Sequence, residues 1–177
     1  MSSAIASMAV VAVVAIPLLS GKFHEGMSKM AIESWEPRIH FSHRGRFSTF
    51  GGPADATMSR SEVLALFENR AEAGHPSVRE YFLWPPPPGI SGTLRQLDPQ
   101  KFYVACRWDY SKASKKLLRQ SFVTVTNPAN GRSTQAKPVD WGPAASTGRA
   151  VDMSPGLAAF LGVQVNDEVI VTFETEP

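Results

Sequence analysis

Two aspartates, Asp140 and Asp152, flank a Gly/Pro-rich loop in "VDWGPAASTGRAVDMSPGLAAFLGV", residues 139–163, just before a short helix signal. Paired carboxylates can break a bond by general acid–base chemistry, one of them donating a proton to the leaving group while the second, or a group of the substrate itself, acts at the other end of the bond. Asp140 ends one strand signal and Asp152 follows the next, so the loop from Trp141 to Gly148 can return the chain and turn both carboxylates into one groove. The same residues have a plainer use. Asp140 before Trp-Gly-Pro suits an Asx-type turn, and Asp152, two residues before Ser154, can satisfy backbone amides at a helix entry.

Exposed aromatic faces make flat apolar binding platforms, and Trp141, Trp108 and Tyr110 are the candidates for one. Tryptophan more often packs inside, and Trp141, flanked by a turn, is the one of the three most expected to be exposed. Arg107 and Arg149 are candidates to pair with the two acids, and such guanidinium partners would lower the carboxyl pKa values and disable a general acid. Cys106 lies in an apolar run and reads as a small buried hydrophobe rather than a nucleophile. His24, His40, His43 and His75 are scattered, with no metal-ligand spacing. Neither a Gly-rich phosphate loop nor a serine nucleophile elbow is present, so no cofactor and no metal are expected.

These residues need a scaffold rich in short strands. The chain has 177 residues, 14 prolines and 13 glycines, which favours strands and turns over a helical bundle. A net charge of +2, from 18 basic and 16 acidic residues, gives no concentrated basic face and argues against nucleic acid. The single cysteine excludes an internal disulfide. Residues 4–19 hold the apolar run "MAVVAVVAIPLL", of signal-peptide core length and shorter than a typical membrane span. Export signal, uncleaved anchor and apolar assembly arm all remain open for it, and Met27 offers a later start. Residues 21–44 read as a polar linker.

"GRFSTFGGP", residues 45–53, predicts a short strand stopped by Gly51, Gly52 and Pro53. Ser59 and Glu62 in capping-box spacing, with Val63, Leu66 and Phe67 behind them, predict a helix from Arg60 to Ala73. One further helical turn is expected before Pro85–Pro88, a stretch that reads as a stiff surface loop. "KFYVACRWDY" predicts a strand and "SKASKKLLRQ" a short basic helix with a solvated face. "SFVTVTNPANGRSTQAKPVDW" reads as strand, turn, strand around Asn130-Gly131. A brief strand at Arg149–Val151 leads to Ser154 as N-cap and Pro155 at the first helical position, with Gly162 as the stop. "VNDEVIVTFE" closes the chain as a strand.

"FVTVTNPANGR…PVDWGPAASTGRAVDMSPGLAAFLGVQVNDEVIVTF", with "GRFSTFGG" upstream, resembles the double-psi β-barrel of the rare lipoprotein A (septal lytic transglycosylase) proteins and of bacterial expansins. The resemblance covers residues 45–53 and about 98–174. It implies a mainly β fold: a six-stranded double-psi barrel with a short helix after the Asp-Met-Ser motif, interrupted by a helical, Pro-rich insertion at residues 54–97. Residues 1–44 stand outside it, and 45–177 form the barrel domain. By resemblance, Asp152 is the candidate acid, Asp140 the second groove carboxylate, and Thr49 the threonine that hydrogen-bonds near the acid. The expected ligand is polysaccharide or peptidoglycan, in the cell envelope or outside the cell. Where the family carries Thr-Ala-Ala-His, this chain has Val104-Ala105-Cys106-Arg107. Arg107 at the histidine position favours binding or loosening over bond cleavage. A structural role in a phage particle or envelope complex, with the barrel as scaffold, is the alternative.

Overall fold

The computed structural model describes residues 40–174, and the apolar segment at 4–19 lies outside them. Six strands form a closed barrel: β1 (His40–Thr49), β2 (Tyr103–Cys106), β3 (Val123–Thr126), β4 (Ser133–Trp141), β5 (Val151–Met153) and β6 (Glu168–Glu174), in the order β1-β5-β2-β4-β3-β6. β1 runs parallel to β5 and β2 parallel to β4, while the other four pairings are antiparallel. The chain is mainly β, as its proline, glycine and strand pattern predicted. β1 begins five residues earlier than expected, at His40, because residues 40–46 pair with β6 rather than forming a linker.

Alternation sets the two faces of the wall. Phe47 on β1, Val151 and Met153 on β5, Val104 and Cys106 on β2, and Val169, Val171 and Phe173 on β6 are buried. The intervening Ser48 and Asp152 are half-buried on the other face. Burial, and beside it the Asp152 charge, push the Cys106 thiol pKa upward, in keeping with a packed hydrophobe and not a reactive thiolate.

Helix α3 (Pro155–Leu161) forms as the sequence predicts. The Ser154 hydroxyl accepts the Leu157 N–H at 3.1 Å, Pro155 opens the first turn, and Gly162 at φ 69° closes it. Leu157, Ala158 and Leu161 are its buried face. Helix α2 (Lys115–Gln120) likewise starts at Ser114, whose hydroxyl accepts the Leu117 N–H.

The insertion differs from expectation. Of the helix expected over residues 60–73 only α1 (Arg70–Ala73) forms, capped by the Asn69 side chain on Glu72 N–H at 3.0 Å, while the further turn expected before Pro85 is present as a 3-10 turn at Arg79–Tyr81, and another lies at Leu94–Gln96. The main chain of residues 60–69 is engaged elsewhere. Leu64 N–H donates to Thr93 Oγ1 at 2.9 Å, Leu66 N–H to the Val139 carbonyl at 3.3 Å, and the Glu62 carbonyl accepts Leu94 N–H at 3.2 Å. Such bonds exclude an i to i−4 ladder, so long-range contacts overrode the capping-box and apolar spacing. Gly92 permits this approach: a Cβ there would lie 2.0 Å from the Glu62 carbonyl oxygen. Leu64, Leu66, Phe67, Phe82, Leu94 and Leu97 join the insertion to the barrel in one continuous core.

The insertion also completes β4. β3 pairs with that strand only as far as Ala136, so the edge beyond it lacks a strand neighbour. Residues 65 and 66 cover this edge, which would otherwise expose unpaired main-chain groups.

Candidate functional site

Strand register brings the two aspartates onto one face. Asp152 is opposite Ser48 of β1 on one side and Ala105 of β2 on the other, and Ala105 is opposite Asp140 of β4. The row therefore reads Ser48, Asp152, Ala105, Asp140 across four strands, with the two acids two strand spacings apart, about 9.5 Å between backbones. A β-bulge makes this alignment. Val104 pairs with Pro138 and Ala105 with Asp140, so Val139 is an extra residue. Without it Ala105 would face Val139, and the Asp140 side chain would point to the opposite face.

The two carboxylates have different surroundings. Asp140 Oδ1 accepts two main-chain N–H groups, from Ala65 at 2.7 Å and from Trp141 at 2.8 Å. Burial nevertheless dominates and raises its pKa from 3.8 to about 6, with the nearby Glu62 and Asp152 charges acting in the same direction and the two N–H groups against it. Asp152 Oδ1 accepts the Ser48 hydroxyl. Its pKa is also raised by burial, while Ser48, Arg149 and Arg107 pull it down.

Neither arginine forms an ion pair with an aspartate. Arg107 Nη1 donates to the carbonyls of Pro143 at 2.9 Å and Arg149 at 2.8 Å, bracing the two ends of the 142–150 loop. Arg149 reaches Asn166 Oδ1 at 3.3 Å. Both act on Asp152 only through their charge, and the expected neutralising pairs are absent among the described residues. Arg107 also stands near half-buried His43 of β1, whose pKa is lowered by burial first and by Arg107 second.

The aromatic candidates separate in the same way. Trp141 is 45% exposed, and its Nε1 donates to the Trp108 carbonyl at 3.2 Å. Trp108 is only 3% exposed, its Nε1 donating to the Asp140 carbonyl at 2.6 Å. It is a core residue that supports β4, which corrects its expected place in a binding platform. Tyr110 is half-buried, with Lys115 Nζ 5.7 Å from its ring centre and a hydroxyl lacking a hydrogen-bond partner. Thr49 is opposite Met153, one position past the acid, so the hydroxyl on Asp152 is that of Ser48.

Two contributors escaped sequence reasoning. Ser48 was legible in principle, because buried Phe47 fixes the parity of β1 and puts Ser48 on the alternate face. Ala65 was not, because it acts through its main-chain N–H, which any non-proline residue supplies. The insertion thus lays a main-chain N–H on Asp140; both acids and Ser48 are half-buried on this face, and exposed Trp141 stands in the neighbouring row, opposite Cys106. Among the described residues no cluster of three His, Cys, Asp or Glu side chains can hold a metal ion, and no helix is long and apolar enough to cross a membrane. No protein-family model matches the chain, and no curated protein matches it.

Proposed function

We propose that the chain is a double-psi β-barrel module that binds cell-wall glycan, with the Ser48–Asp152 face and Trp141 as its contact surface. The barrel reading is supported by two parallel pairs, β1 with β5 and β2 with β4, joined through antiparallel β2 and β5. The observation that carries the binding reading is the inequality of the acids. Both are half-buried, but Asp140 is held by two main-chain N–H groups, whereas Asp152 meets one side-chain hydroxyl. A half-buried carboxylate with one hydroxyl contact on the Ser48 row, and an exposed indole at the end of β4 in the neighbouring row, suit sugar recognition: the acid accepts ring hydroxyls and the indole covers an apolar sugar face.

Retention on purified peptidoglycan sacculi tests this reading. Wild-type protein is expected to sediment with the polymer, and Trp141→Ala to weaken retention about tenfold, equivalent to ~1.4 kcal/mol. Equal recovery of the wild type in the supernatant with and without sacculi would defeat it. Muropeptides released by the wild type and not by Asp152→Asn would make the module lytic. In that case Asp152 protonates the leaving oxygen, a hydroxyl of the same sugar attacks the anomeric carbon, and its proton returns to Asp152.

One observation favours the scaffold reading, a structural role in a phage particle or envelope complex. The insertion folds onto the face that carries Asp140, using that acid as an attachment point. A stable complex with other envelope or particle proteins, with no retention on sacculi, is the result expected from it.

A further inference from the structure

The insertion and α2 enclose a cavity of about 340 Å³, remote from the Asp152 row in its lining residues. Its floor is apolar, made by Phe67 and Val78, each 2% exposed, with Ala71 at the side. Glu72 from α1 and Arg119 from α2 meet at its edge at 3.0 Å. Both are already committed. The other Glu72 oxygen accepts Glu68 N–H at 2.7 Å, and Arg119 Nε donates to the Leu66 carbonyl. Their charges cancel, and the pair joins the insertion to α2.

Lys116 is different. It lies three residues before Arg119 on α2 and lines the same cavity, yet it is exposed and has no ion-pair partner among the described residues. The cavity therefore combines an apolar floor with one uncompensated positive charge at the rim. We propose that it binds a carboxylate with a short apolar body, as a free acid or as the C-terminal residue of a peptide, with the carboxylate on Lys116 and the body over Phe67 and Val78.

The volume is near the lower end of small-ligand pockets, about 300 Å³ and upward, and suits one leucine- or phenylalanine-sized group. A sugar ring fits the chemistry poorly. The floor residues Phe67 and Val78 carry no hydrogen-bonding side-chain group to meet ring hydroxyls. A cationic ligand would meet Lys116 and find Glu72 already paired. The site is independent of the glycan reading, because all its lining residues come from the insertion and α2.

Titration calorimetry of the whole chain tests the assignment, with 3-phenylpropionate, its amide, a hexapeptide ending in phenylalanine and the same peptide amidated. Both acids are expected to bind and both amides to bind at least about tenfold more weakly, the loss of a charge-assisted contact of ~1.4 kcal/mol. Lys116→Gln removes the preference for acid over amide. Ala71→Phe, at an exposed helix position, fills the cavity and abolishes binding of both acids. Tighter binding of the peptide acid assigns the site to chain termini, and equal binding assigns it to free acids. Equal affinity for acid and amide, binding that persists in Ala71→Phe, or no heat from either acid at millimolar concentration overturns the proposal.

Discussion

Replacing Asp140 with asparagine should stabilise the protein at neutral pH and leave it unchanged in acid. Burial raises the Asp140 pKa from 3.8 to about 6, so the folded state binds this proton more tightly than the unfolded chain does. Such a group supports folding below its unfolded pKa and loses that contribution as pH rises through the folded one. At 1.36 kcal/mol for each tenfold change, the charged carboxylate weakens folding by up to about 3 kcal/mol above pH ~7. Asparagine keeps an oxygen for the Ala65 and Trp141 N–H groups and carries no charge. Urea unfolding of both proteins from pH 4 to pH 8 is the assay, read as the difference between them. That difference matters because His43, with its lowered pKa, has the opposite dependence, its contribution falling as pH drops, and it cancels between the two proteins. The variant should gain on the wild type steadily between about pH 4 and pH 6 and then level off, by 2–3 kcal/mol. A difference that stays constant across the range, or a variant less stable at pH 7.5, would refute the view that Asp140 is a buried anchor whose charge is a cost.

Gly92→Ala should lower stability by about 2–3 kcal/mol or more, visible as a fall in Tm, because its Cβ would lie 2.0 Å from the Glu62 carbonyl oxygen, a main-chain atom that cannot turn away. Ser154→Ala removes the cap of α3 at a fully buried position and should cost about 1–2 kcal/mol by chemical denaturation. Asn127→Ala should cost about 1 kcal/mol, since it removes the bond to the Leu161 carbonyl at 3.0 Å, which keeps Asn130 Nδ2 at 3.1 Å, and the acceptor of the Ala129 N–H. Arg107→Gln should leave global stability within about 1 kcal/mol and speed amide exchange in the 142–150 loop, whose two carbonyls it braces. Unchanged exchange there would mean the loop holds itself.

The C-terminal half was the more readable part of the chain. α3 was announced by local chemistry, a capping serine, a first-turn proline and a terminal glycine. The β3–β4 hairpin was announced by Asn130-Gly131, and Gly131 does take the left-handed conformation, at φ 75°. The acids themselves were also visible, but their difference was not. Asp140 owes its environment to Ala65, 75 residues away, and to a bulge at Val139 that leaves no mark in composition or period. The expected helix at 60–73 failed for a related reason. Its local signals were genuine, yet the main-chain bonds to Thr93 and Val139 and the approach allowed by Gly92 are contacts between distant segments. Trp108 was misplaced because nothing local distinguishes an indole that supports a strand from one that faces solvent.

The pairing of β1 bears on how the protein is made. Both its neighbours, β5 and β6, come from the end of the chain, and Ser48 lies 104 residues before Asp152. At about 5–20 residues per second, the first strand leaves the ribosome some 5–20 s before its partners exist. Through that interval both edges of a strand carrying Phe41 and Phe47 are open to other chains. The insertion can close much sooner, since Leu64 and Thr93 are only 29 residues apart. Vectorial synthesis thus delivers the insertion's own contacts early and the barrel last. A chain that stopped before Val151 would leave β1 with no mate at all.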